Sequence, residues 1–71
     1  MAAACDRKYE LMDEMAAALS RLHELLLAER QAGNQRDQAG MELLETEIAA
    51  TLEQKSGILE RLRAHAGAHG C

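Results

Sequence analysis

Seventy-one residues with a net charge of −4, no proline, tryptophan or phenylalanine, and a single tyrosine allow one small domain with an aliphatic core. Charge is spread evenly, with four basic and six acidic side chains in residues 1–33 and the same numbers in 34–71. No basic patch is present to neutralise phosphates, and no apolar run approaches the roughly 18–20 residues that span a bilayer, so the expectation is neither nucleic acid binding nor a membrane span.

The opening Met-Ala-Ala-Ala-Cys-Asp-Arg-Lys has no apolar run behind it. It therefore does not read as a secretory signal, and a cytoplasmic chain with reduced thiols is expected. Asp6 suits the N-cap of a first helix, with Glu10, Asp13 and Glu14 near its positive end. That helix is predicted over about residues 6–31. Met12, Met15, Leu19, Leu22 and Leu26 recur at alternating steps of three and four, which is one face of an α-helix. Leu11, Ala18 and Leu25 flank this stripe on one side and Ala16 and His23 on the other, while Leu27 lies well off it. Arg7–Glu10 and Arg21–Glu24 are favourable pairs three residues apart, and Glu10 and Glu14 repel.

The turn is predicted within residues 32–37. Gly33 suits the left-handed position just after a helix end. Either Asn34 caps the next helix, with Asp37 as a weak capping-box partner, or Asp37 is itself the cap and Gly40 falls in the first turn.

A second helix is predicted over about residues 38–65. Its stripe is Met41, Leu44, Ile48, Leu52, Leu59 and Leu62, with Lys55 occupying one slot. A cation there either snorkels outward or pairs with an acid of a partner. Gly57 interrupts the helix at a cost of about 1 kcal/mol relative to alanine. It marks either close approach by another backbone or simple tolerance. Residues 66–71 fade into Ala, Gly and His and are expected to fray.

The fold class that follows is all-α, an antiparallel two-helix hairpin forming one unit over residues 1–71. Two helices cannot bury stripes this wide on each other. The hairpin is expected to be completed by a partner or by self-association, with Met12, Met15, Leu19, Leu22, Leu26, Met41, Leu44, Ile48, Leu52, Lys55, Leu59 and Leu62 as partner-binding candidates. A homodimeric four-helix bundle is one way to cover both stripes.

Chemistry finds little purchase. His65 and His69 are spaced as two helix ligands would be, with Cys71 close by, yet a closed zinc site needs four ligands and Gly67 and Gly70 weaken the helix there. His23 has no nucleophile or carboxylate fixed beside it. Glu42, Glu45, Glu47 and Glu53 read as a solvated face, since no Glu stands three residues before any histidine as a di-iron motif would need. No phosphate loop or Cys-x-x-Cys occurs. The expectation is no enzyme, no metal and no cofactor, with Cys5 and Cys71 free and without function.

Ala18-Leu19-Ser20-Arg21-Leu22 followed by Leu26 and Ala28, the turn near Gly33, and Ala50-Thr51-Leu52 followed by Gly57-Ile58-Leu59-Glu60-Arg61-Leu62 together resemble a known family. It is that of the small co-chaperones of type III secretion needle subunits, the YscE-like proteins. The likeness covers roughly residues 17–62. Where the family often has an aromatic early in its second helix, this chain has Met41 or Leu44. The resemblance implies a cytosolic hairpin that binds a larger tetratricopeptide-type chaperone and, with it, keeps a needle subunit soluble and unpolymerised before export. A weaker similarity, in Leu25-Leu26-Leu27-Ala28-Glu29-Arg30 with Asp37, Lys55 and Leu59, points to flagellar export chaperones, which are about twice as long.

Overall fold

The computed structural model describes the backbone of residues 2–69 and the side chains of residues 6–68. Two α-helices account for nearly all of it: α1 over Ala2–Asn34 and α2 over Gln38–His69. They lie side by side and antiparallel in a rod 53 × 14 × 11 Å across. The hairpin expected from the two stripes is the observed fold.

Both helices are longer than expected. α1 begins at Ala2, so Asp6 sits inside the helix and does not cap it. Alanine at positions 2–4 carries no side-chain entropy cost, which lets the helix extend past the acid. α2 likewise continues through His69. Alternating alanines at 64, 66 and 68 offset Gly67, so residues 66–69 are helical where fraying was expected.

The turn occupies residues 35–37, inside the predicted span, but its chemistry differs. Arg36 holds the left-handed conformation, with φ of 57°, and Gly33 is the second-last residue of α1. Arg36 N–H donates to the Gly33 carbonyl at 3.1 Å and Asp37 N–H to the Ala32 carbonyl at 2.9 Å. These paired bonds are a Schellman closure, with Arg36 where glycine is usual. Gly33 stays helical, and a Cβ added there would meet the Met41 thioether at 4.0 Å, an ordinary contact distance.

Of the two caps left open, the structure selects Asp37. Its Oδ1 accepts the Gly40 N–H at 3.0 Å, and its carbonyl accepts the Met41 N–H at 2.9 Å to begin α2. A methyl group at Gly40 would meet the Asp37 carboxylate, which would have to turn aside.

The core is a line down the middle. Leu11, Ala18, Leu25 and Ala32 of α1 and Thr51 and Ile58 of α2 are buried, Ile58 completely. Each recurs every seven residues, the period of a left-handed two-helix supercoil. A second, half-buried line runs beside it: Lys8, Met15, Leu22 and Glu29 in α1, and Met41, Ile48, Lys55 and Leu62 in α2. Leu44 and His65 take the remaining α2 positions, also half-buried. Met15 and Leu62 pack on the Leu11–Ala18–Ile58 cluster. Thr51 is the one buried polar side chain among the described residues, and its hydroxyl is satisfied by donating to the Glu47 carbonyl at 2.8 Å.

This seam corrects the expected stripes. Leu11, Ala18 and Leu25, read as flanks of the α1 stripe, are its centre, and Ile58 displaces Leu59 as the α2 anchor. A straight α-helix drifts about 20° per heptad from a strict seven-residue line. A stripe read at 3.6 residues per turn therefore slides from Leu44 and Ile48 onto Leu52 and Leu59. In the hairpin the seam falls on Leu44, Thr51 and Ile58, the seven-residue spacing that a left-handed helix pair favours.

Candidate partner-docking surface

An antiparallel pair of helices has a seam and two flanks, with each flank built from equivalent positions on both helices. Arg21 identifies one of them. Its guanidinium reaches across to Glu47 at 2.9 Å, and not to Glu24, the neighbour expected from spacing. Arg7 and Glu14 lie on the same row of α1 at seven-residue intervals, and Arg61 lies on the row of Glu47 in α2. Arg7 also bonds Glu10 at 3.1 Å and lies 3.6 Å from Glu14, which offsets the repulsion expected between those two acids. Near the turn this charged flank holds a shallow open depression of about 410 Å³ between Ala28, Ala32, Leu44 and Glu47.

The opposite flank is apolar. On α1 it consists of Met12, Leu19 and Leu26, exposed by 48%, 46% and 48%; on α2 it carries Leu52 and Leu59, exposed by 46% and 36%, with the exposed acid Glu45 on the same row nearer the turn. These residues again recur every seven positions, one step beyond the buried line. Isolated exposed leucines are ordinary on a protein surface. Here five large apolar side chains share one side of one rod, and nothing among the described residues covers them.

The twelve partner-binding candidates thus divide in two. Met15, Leu22, Met41, Leu44, Ile48, Lys55 and Leu62 are half-buried in the seam that joins the helices. Met12, Leu19, Leu26, Leu52 and Leu59 form the uncovered flank. Stripe reading alone could not divide them, because both sets lie on one wide apolar arc. Lys55 stands on the seam line with no ion pair to its own hairpin among the described residues. Its aliphatic stem suits the seam and its ammonium the water beside it.

Two exposed leucines were not among the candidates. Leu43, exposed by 70%, borders the depression on the charged flank, and Leu27 lies on the back of α1. Gly57 has no atom of the other helix within 4 Å of where a Cβ would stand, so close approach within the hairpin does not explain it.

Among the described residues no three His, Cys, Asp or Glu side chains converge on a point that would hold a metal. Nor, among them, is any helix long and apolar enough to cross a membrane. The readings of Cys5, Cys71 and the His69 side chain fall outside the described side chains. Comparison with protein-family models, with curated proteins and with solved structures found no match.

Proposed function

We propose that this hairpin is a cytoplasmic co-chaperone whose apolar flank docks on a larger helical chaperone of the tetratricopeptide type. The pair would keep a type III secretion needle subunit monomeric until export. The observation that carries the docking part is the uncovered row of Met12, Leu19, Leu26, Leu52 and Leu59. Removing such a row from water is the main driving force for helix association. The identity of the partner rests on the resemblance between residues 17–62 and the needle co-chaperones.

The seam residues play a different part in this reading. They hold the two helices in register so that the flank is presented as one surface. No group in the chain is asked to do chemistry; the hairpin contributes shape and apolar area.

Co-expression with a tetratricopeptide-type chaperone of a type III secretion system, followed by capture of the complex, tests the proposal. Leu19→Asp and Leu52→Asp should abolish capture while circular dichroism still reports helices, because each acid falls on the exposed flank. Arg61→Glu, on the charged flank, should leave capture intact. Retained binding by both aspartate variants would refute the flank as the docking surface. Failure of the wild-type hairpin to bind any such chaperone would refute the assigned partner.

A further inference from the structure

The rows that border the apolar flank carry a pattern that the co-chaperone reading does not use. On α1 the outer row is Tyr9, Ala16, His23 and Arg30; on α2 it is Glu42, Ala49, Ser56 and Arg63. All are exposed. The turn at residues 35–37 puts Arg30 and Glu42 at nearly the same height beside it, on opposite edges of one face. It puts Tyr9 and Arg63 at the open end in the same way. Between them the edge residues Ala16, Ala49 and Ser56 are small, so another pair of helices can approach closely. Among the described residues neither Arg30 nor Arg63 has an ion pair in its own hairpin.

We infer that the occupant of this face, when the hairpin is alone, is a second copy of the same chain, forming a two-fold four-helix bundle. Apart from Glu45 on its inner row near the turn, the face is self-complementary. A two-fold along the hairpin axis lays α1 on α2 of the second copy and sets Arg30 beside Glu42 of that copy, twice. A two-fold across the axis lays α2 on α2 and sets Arg63 beside Glu42 of that copy, again twice. In both cases Leu19 and Leu52 lie at the centre and every neighbouring helix is antiparallel, as in up-and-down bundles. An interface of standard size takes roughly 800 Å² from each partner, and one broad side of a rod 53 Å long and 14 Å wide is of that size. On the charged flank Arg7 and Arg21 already pair with acids of their own hairpin, which leaves less charge there to meet a second copy.

This inference goes beyond the co-chaperone reading and can fail separately from it, since it needs no partner protein. The experiment is sedimentation equilibrium on the pure full-length chain. The expected mass is twice the 7.8 kDa of one chain, with dissociation on dilution. Glu42→Arg, a surface change that leaves both helices intact, should weaken the dimer by roughly tenfold or more, because it turns two opposite-charge pairs into like-charge ones. Adding Arg30→Glu should restore it if the two-fold runs along the axis; adding Arg63→Glu should restore it if the two-fold runs across. Either rescue supports the proposal and names the arrangement. A monomer at all concentrations, a dimer indifferent to Glu42→Arg, or a loss that neither second change repairs would each overturn it.

Discussion

At the residue scale the turn is the most informative place. Arg36 pays for its left-handed backbone, which an L-residue other than glycine adopts at a cost of roughly 1–2 kcal/mol. Arg36→Gly is therefore expected to stabilise the hairpin by about 1 kcal/mol, read as a higher denaturant midpoint at unchanged slope. Asp37→Ala removes the cap on Gly40 N–H and should cost about 1 kcal/mol. If both variants melt like the wild type, the turn is not closed as described. Gly57 offers a third test. With open space where its Cβ would be, Gly57→Ala should stabilise the isolated chain by about 1 kcal/mol. If the same variant then loses a partner, the glycine is reserved for that partner's approach.

Glycine was the misleading signal at this scale. Gly33 looked like the helix stop because glycine is the usual left-handed residue, whereas the stop came three residues later at Arg36. Gly33 lies inside the helix, where a Cβ would meet Met41 only at ordinary contact distance, and at Gly40 a Cβ would displace the Asp37 carboxylate. Which glycine does what depends on neighbours that only the folded turn supplies.

The two helices differ from simple amphipathic rods in having two apolar lines on each. Leu11 and Ile58 are buried in the seam, and Leu19 and Leu52 are not. Leu11→Ala and Ile58→Ala should each cost about 2–5 kcal/mol, through lost transfer energy and the cavity left behind. Leu19→Ala and Leu52→Ala should cost the monomer well under 1 kcal/mol. Chemical denaturation at a concentration low enough to keep the chain monomeric would separate the pairs. Equal losses at all four positions would place the seam wrongly. Lys55→Leu belongs to the same series. An apolar side chain in that seam slot should raise stability, since no acid within the described hairpin depends on the ammonium.

For the molecule as a whole, size sets the limit. A chain below about 70–80 residues rarely draws more than ~3–5 kcal/mol from one core, and in this one the small Ala18, Ala32 and Thr51 alternate with Leu11, Leu25 and Ile58 along the buried line. The melting temperature is expected to rise with protein concentration and with added partner, as mass action requires when association favours the folded state. A high melting temperature that ignores both would remove the reason to look for any occupant of the flank.

The sequence by itself determined the number of helices, their antiparallel pairing and the place of the turn to within a few residues. Those follow from local periodicity and from one break in it. It also determined that apolar surface would be left over, because the arc spanned by Leu11, Met12, Met15 and their repeats is wider than one neighbouring helix can cover. Only the tertiary structure decided which leucines were spent inside and which were left out. Neighbouring positions such as Leu11 and Met12, or Ile58 and Leu59, are alike in polarity, so composition does not choose between them. The choice comes from how the helices pack, with Leu11, Ala18, Thr51 and Ile58 buried between them and Arg21 reaching across to Glu47, which arises only once the two helices lie together.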